Sequence, residues 1–363
     1  MSRKVLISGG AGFIGCHVAR KLLERGDEVL VFDNLHPQVH TQFGLPQDMP
    51  KGVVFVPGDV TVAENWGTLF RFFRPDVVIH LAAETGTGQS LTESHRHASV
   101  NVAGTARLID ALTAIRHVPE QFVLTSSRAV YGDGAWRDTA GTVFYPPARS
   151  RQALELQQWN LSGPTGLPAE AMPSVAGQTH PNPISVYGAT KLTQEHMLAA
   201  WCGAFGSGLS ILRLQNVYGP GQAPGNPYTG VLTLFARLAR EQKVLDIYED
   251  GKIVRDFVHV EDVAQAIVQA VARPTRNVRM FDIGSGSPTT IDAVARELAR
   301  RYGAPAPVVS GKFRDGDVRA ASCSIESARG ALDYQPRWTL EAGLASLKEW
   351  LEGVLDTRSA PRT

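Results

Sequence analysis

The 363-residue sequence predicts an α/β protein, a doubly wound parallel sheet joined to a smaller mixed lobe. Three observations carry that expectation. Apolar, strand-like runs alternate with helical periodicity through the first half. The first run breaks on a cluster of glycines that opens a helix. The second run ends on an acid, Asp33.

In chain order, Val5-Leu-Ile7 reads as a buried strand, Gly9, Gly10, Gly12 and Gly15 as a turn, and Cys16 to Arg25 as a helix. Strand, turn and helix together give meaning to a G-x-G-x-x-G match. The glycines let backbone approach a pyrophosphate, and the helix aims its N-terminal N–H groups at it. Val29 to Asp33 is the second strand. Its acid lies about twenty residues past the glycines, where a carboxylate takes a ribose 2′-hydroxyl and repels a 2′-phosphate. The expected cofactor is therefore NAD rather than NADP. Val53 to Val56, Asp76 to Ala83 and Gln121 to Ser127 continue the sheet, and Ser99 to Ile115 is helical. Asp59 falls at the edge of the adenine pocket. Ligands of such sheets lie beyond the carboxyl ends of the strands, so the Gly9 turn, Asp33, Ala82, Thr85 and Ser127 are expected on one rim.

Residues 133–183 break the rhythm with Trp136, Trp159 and many Pro, Gly and Ser; only Ser150 to Trp159 reads as helical. An insertion of this length is a lid, a partner surface or a decorated loop. A helix at Val186 to Ala204 and a sixth strand at Leu209 to Leu214 follow. Then come a helix at Val231 to Arg240, strands at Val244 to Tyr248 and Val254 to Val260, a helix at Glu261 to Ala272, a strand at Met280 to Ile283, and helices at Thr290 to Arg301 and Leu340 to Leu355. We divide the chain into a dinucleotide-binding domain at 1–216, completed by about 256–284, a substrate lobe at 217–255 and 285–355, and a tail at 356–363.

Hydrophobic residues make up 43% of the chain and the net charge is +1, with no dense Lys/Arg run. Nothing points to nucleic acid or an acidic membrane surface. Cys16, Cys202 and Cys323 are far apart, which indicates neither a disulfide framework nor a metal site and fits a reducing compartment. No stretch reaches membrane-spanning length and no signal peptide is evident, so a soluble cytoplasmic protein is expected.

Tyr187 and Lys191 stand four apart on a predicted helix and project from one face. A phenol titrates near pKa ~10, but a neighbouring ammonium favours the phenolate and makes it a usable base. The same spacing at Tyr248 and Lys252 spans an Asp-Gly turn and is assigned no role. Ser127, at the end of the fifth strand, could hydrogen-bond both the phenol and a substrate hydroxyl.

These residues sit in a wider pattern. Ser126-Ser127 before Val130-Tyr131-Gly132, Tyr187-Gly-Ala-Thr-Lys191, Arg213-x-x-Asn216-Val-Tyr-Gly-Pro and Arg255-Asp-Phe-Val-His-Val follow Gly-Gly-Ala-Gly-Phe-Ile-Gly. The chain resembles an extended short-chain dehydrogenase/reductase with a Rossmann domain, and within that group the NAD-dependent nucleotide-sugar 4-epimerases. The insertion, Thr85-Gly-Thr-Gly-Gln-Ser90 and Asn226-Pro-Tyr-Thr-Gly230 are similar to the dTDP-L-rhamnose 4-epimerase-like branch. The resemblance implies that Gly9, Gly12, Phe13, Ile14, Gly15, Asp33, Asn34, Asp59, Val60, Leu81, Ala82, Ala83 and Asn101 contact NAD, with Tyr187 and Lys191 on its nicotinamide ribose. It implies Ser127, Tyr187 and Lys191 as the catalytic set. Thr85, Gly86, Asn216, Tyr228, Arg255 and Arg314 would meet the nucleotide sugar, with Asn216, Arg255 and Arg314 on its diphosphate. Arg319 is a second candidate beside Arg314. It also implies a homodimer built on Asn101 to Ile115 and Val186 to Ala204 of each subunit.

Four reactions suit these residues. A 4-epimerase oxidises sugar C4 transiently and returns the hydride to the opposite face, with no net redox change. A dehydratase or decarboxylase needs further acid/base groups. Related dehydratases carry Asp-Glu after the strand-five hydroxyl, whereas this chain has Arg128-Ala129, leaving Glu84 as the spare carboxylate. A 4-keto-sugar reductase would draw NADPH from solution, against Asp33. A non-catalytic dinucleotide sensor would not need to keep both Tyr187 and Lys191. Epimerisation is the reading the sequence favours.

Overall fold

The computed structural model describes residues 2–40, 44–225 and 230–359, with side chains to residue 355. Seven strands form the central sheet: β1 (Lys4–Ser8), β2 (Glu28–Asp33), β3 (Val54–Pro57), β4 (Val77–His80), β5 (Gln121–Ser127), β6 (Gly208–Leu214) and β7 (Val278–Ile283). Their order is β7-β6-β5-β4-β1-β2-β3, and every neighbouring pair is parallel. The doubly wound α/β class read from the sequence is the one found. Strand order reverses between β1 and β4, and that reversal opens a crevice at their carboxyl ends.

Strand alternation sends side chains to two opposite cores. Val5 and Ile7 pack under the helices Phe13–Glu24 and Val260–Ala272 with Val18, Leu22, Val263 and Ile267. Leu6, Leu30 and Phe32 face the other way, against Trp66, Phe70, Leu108, Leu112, Leu198 and Trp201 of the helices Ala63–Phe72, Gly104–Ala114 and Val186–Phe205. A third core joins the helices Val231–Arg240, Ile291–Tyr302 and Leu340–Ser359 beside the short strands Asn216–Tyr218 and Val254–His259.

Several elements differ from their sequence-based outlines. The strand expected at Asp76 to Ala83 stops at His80, and Leu81 to Ala83 continue as open chain along the crevice. The helix expected from Ser99 begins instead as a π-helix, Ala98–Ala103, before the α-helix Gly104–Ala114. Such wide turns cluster at functional sites; here it carries Asn101 inward. The Ser150–Trp159 helix shrinks to Arg151–Glu155 because Gln157 turns the chain with a φ of 56°. The strand at Val244 to Tyr248 keeps only Asp246–Ile247. A helix at Glu326–Leu332 carried no clear periodic signal.

Residues 133–183 fold into a small antiparallel sheet with Trp136–Asp138 between Val143–Phe144 and Ala169–Ala171. The segment is fastened across residues 311–319. Arg151 pairs with Asp315 at 2.7 Å, the Trp159 and Phe313 rings are 6.4 Å apart, and Arg319 donates to Asn160 at 3.0 Å. Among the described residues, no helix is long and apolar enough to cross a membrane.

Candidate active site

The crevice floor is built from absent side chains. Gly9 has a φ of 71°, and a Cβ there would lie 2.6 Å from the backbone of Ala82. A Cβ on Gly15 would lie 2.5 Å from the backbone of Gly10. The strand, the helix and the β4 exit can meet this closely only through glycine. Gly12 caps the twelve-residue helix Phe13–Glu24 with no side-chain acceptor on its first turn. Its leading N–H groups therefore remain free for a phosphate.

Asp33 ends β2 as the residue count required. Its carboxylate accepts N–H bonds from Ala11 at 3.1 Å and Leu35 at 2.8 Å, which fixes it beside the glycine turn. Asn34 donates to Asp59 at 3.0 Å. Burial pushes the Asp59 carboxyl up, but hydrogen bonds from Thr61 and Asn34 outweigh it and hold the group below its usual value. Gly9, Gly12, Phe13, Ile14, Gly15, Asp33, Asn34, Asp59, Val60, Leu81, Ala82, Ala83 and Thr85 all line this one cleft. A cradle that a Cβ on Gly9 or Gly15 would fill, a helix N-terminus without a side-chain cap and an acid on the cleft wall fit a dinucleotide whose ribose carries a 2′-hydroxyl. Asn101 stands apart from that set. It is fully buried, and its amide bonds the backbone of Glu84 at 2.8 and 3.0 Å and Thr190 at 2.9 Å. It holds the β4 exit in shape rather than facing the cleft.

Beyond Ser127, the chain reaches Tyr187 on the helix Val186–Phe205. Ser185 caps that helix by accepting the Gly188 N–H at 3.1 Å. Burial pushes the Tyr187 phenol up; the neighbouring Ser127 hydroxyl and the Arg128 charge pull it back. Lys191 is 2% exposed, and burial lowers its ammonium to about 7 against the opposing pull of Glu195. Its Nζ donates to Gln194 at 2.6 Å, and Gln194 donates to Thr105 at 2.8 Å. Thr105 meets His80 at 2.9 Å, and His80 meets Ser8 of β1 at 2.6 Å. Burial, aided by Lys191, pushes His80 down to about 3, so this chain adds no second cation beside Lys191. One turn along, Glu195 takes Ser126 at 2.5 Å and Arg213 at 2.6 Å, a buried brace behind the site.

On the far side of Tyr187, Arg255 lies buried on Val254–His259 and donates to its neighbour Val254 at 2.8 Å. The Asn216 Oδ1 is buried without a partner among the described residues. Arg314 is exposed, its guanidinium 5.1 Å from the Tyr248 ring centroid. Arg319 is buried in ion pairs with Glu249 at 2.9 Å and Asp250 at 2.6 Å, a structural role. Gly86 turns with a φ of 103° at the loop beside Thr85. Tyr228 lies outside the described residues.

Sequence reasoning missed several neighbours. His97 hydrogen-bonds the Thr85 carbonyl at 3.3 Å and sets its ring edge-on to Tyr187 at 6.5 Å. Gln222 and Ala223 close the cleft from a distant loop. Glu84 is not spare: Arg96 holds it at 2.6 Å. Only the last had a local signal, an acid and a base twelve residues apart in one segment.

The comparisons agree with this geometry. A family model described as the NAD dependent epimerase/dehydratase family matches residues 5–153 and 164–284. A dTDP-L-rhamnose 4-epimerase of Burkholderia thailandensis is 51% identical over 357 residues, covering 98% of this chain and 97% of that one. A UDP-glucose 4-epimerase of Mycolicibacterium smegmatis is 30% identical over 349 residues, covering 96% and 98%. Among solved structures, the Thermus thermophilus UDP-glucose 4-epimerase complex with NAD is similar at a TM-score of 0.75 and 28% identity, covering 96% of this chain and 99% of that one.

Proposed function

The chain belongs to the NAD dependent epimerase/dehydratase family, and from that premise we propose that it is a nucleotide-sugar 4-epimerase acting on a dTDP- or UDP-linked hexose or deoxyhexose. The observation that carries the reading is one helix that presents Tyr187, with Ser127 beside its phenol, and the buried Lys191 four residues on, next to a glycine-floored cleft that His97 links to Tyr187 through Thr85.

Tyr187, as phenolate, takes the proton of the sugar C4 hydroxyl and gives it back after the ring has presented its other face. Ser127 bonds the phenol oxygen and orients the hydroxyl that approaches it. Lys191 stabilises the phenolate, and Gln194, Thr105 and His80 keep its ammonium aimed. NAD, when bound, supplies a two-electron acceptor and donor that ends each cycle unchanged. Gly9, Gly12, Phe13, Ile14, Asp33 and Asp59 would hold it.

Two features favour epimerisation over dehydration. Arg128-Ala129 follows Ser127 where an acid pair would be needed, and Glu84 is engaged by Arg96. Asp33 disfavours the NADPH that a reductase would draw from solution. The 51% relative narrows the proposed substrate towards a dTDP-linked 6-deoxyhexose.

Within this reading residues 217–255 and 285–355 serve as the substrate lobe. The protein works in the cytoplasm as a homodimer through Asn101 to Ile115 and Val186 to Ala204, which sedimentation would test. The activity is tested by incubating the purified protein with dTDP-L-rhamnose, and separately UDP-glucose, without added cofactor. Formation of the C4 epimer is the expected result. Product only on addition of NADPH would overturn the reading.

A further inference from the structure

We propose that Arg149, brought in by the inserted segment, and Arg128, the residue after Ser127, join Arg255 in one anion site that grips the diphosphate of the nucleotide sugar. The proposal rests on the nucleotide-sugar reading and goes beyond it, because the motif resemblance points only to Asn216, Arg255 and Arg314 for this task.

The three arginines come from distant segments but converge. Arg255 lies opposite Ala321 in the pairing of Val254–His259 with Ala320–Ala321. Arg128 lines a small hollow with Asp133, Ala320 and Ala321. Arg149 donates through Nη2 to Glu249 at 2.7 Å and to the Asp317 carbonyl at 2.8 Å, beside the same stretch. Arg128 also lies within electrostatic reach of Tyr187. The cluster thus has one member beside the phenol, as a sugar held between phenol and phosphates requires.

Their hydrogen-bonding capacity is largely unspent. The Arg149 side chain is 3% exposed, yet its Nε and Nη1 are sealed from water with no partner among the described residues. Arg255 spends one N–H, on the Val254 carbonyl. The Arg128 guanidinium makes no hydrogen bond or ion pair among the described residues. A guanidinium carries five N–H donors in a rigid fork, and the two that Arg149 buries unpaired are unfavourable as they stand.

The carboxylates that face the cluster cannot serve it fully. Glu249 is divided between Arg149 and Arg319. Asp133 accepts the Arg319 N–H at 2.7 Å, and burial pushes its carboxyl upward, weakening it as a counter-ion. That leaves Asp317 facing both Arg128 and Arg255. An acceptor-rich anion completes the arrangement, and a diphosphate offers paired oxygens to three forks at once.

The test uses the full-length, NAD-loaded protein and titration calorimetry with dTDP and UDP, against thymidine and uridine. Arg149→Met and Arg128→Met should each weaken nucleoside-diphosphate binding by about tenfold or more while nucleoside binding and NAD content hold. Arg149→Lys keeps a cation beside Glu249 but loses the fork. It covers the case in which Arg149→Met does not fold, and it too should bind dTDP measurably worse. Diphosphate affinities within twofold of wild type in the folded variants would overturn the proposal alone. Wild-type protein that binds neither dTDP nor UDP would overturn the nucleotide-sugar reading as well.

Discussion

The two sides of Tyr187 are made by opposite means. The cofactor side is made of backbone: Gly9 and Gly15 let strand, helix and loop touch, and the helix at Phe13 offers free N–H groups. It needs few side chains and one acid. The other side is made of buried charge. Arg128, Arg149, Arg255 and Arg319 stand among Asp133, Glu249, Asp250 and Asp317, and Glu249 is 1% exposed. A backbone cradle is stable by itself and tolerant of salt. A buried ionic cluster depends on each counter-ion, since an unpaired charge in low dielectric is strongly unfavourable. The contrast teaches where each half is vulnerable.

The largest effect belongs to the residue between the halves. Tyr187→Phe should lower kcat by about 10²–10⁴-fold with NAD still copurifying, because it removes the proton carrier and leaves both walls intact. Steady-state kinetics with cofactor extraction checks this, and near-normal turnover would remove Tyr187 from the chemistry. On the ionic side, Glu249→Ala strips Arg149 of its carboxylate partner and leaves Arg319 to Asp250, and chemical denaturation should show a loss of about 3–5 kcal/mol. A loss under about 1 kcal/mol would mean that the cluster is well solvated and the contrast drawn too sharply. On the backbone side, Gly9→Ala forces a Cβ against Ala82 at a positive φ and should destabilise by about 2–3 kcal/mol and release NAD. Retained NAD in that variant would show a cradle looser than its spacing. The smallest effect is one of choice. Asp33→Ala should narrow the preference for NAD over NADP by about tenfold, the worth of a good ribose contact near 1.4 kcal/mol. Equal weakening of both cofactors would make Asp33 a structural cap for Ala11 and Leu35.

The same contrast explains what could be read in advance. β1, β2, β5 and β6 match their sequence outlines within about a residue or two, because apolar period and turn residues are local. The Gly9-to-Gly15 turn and Asp33 stand close in sequence as well as in space. Tyr187 and Lys191 share a helical face by spacing alone. The π-helical start at Ala98–Ala103 carried no such signal, because its residues have ordinary helical periodicity and the partners of the buried Asn101, Glu84 and Thr190, are distant in sequence. The insertion was legible as an interruption, not as a supplier of Arg149.

The sequence alone determined the parallel α/β class, the glycine-floored crevice and the helical spacing of phenol and amine, because each follows from contacts within a few residues. Only the tertiary structure decided which arginines meet. Residues 128 and 149 are ordinary basic positions until the insertion folds across 311–319 and sets Arg149 on the Glu249 that Arg319 also holds. Burial leaves two Arg149 donors unpaired, and burial is a property of the whole chain.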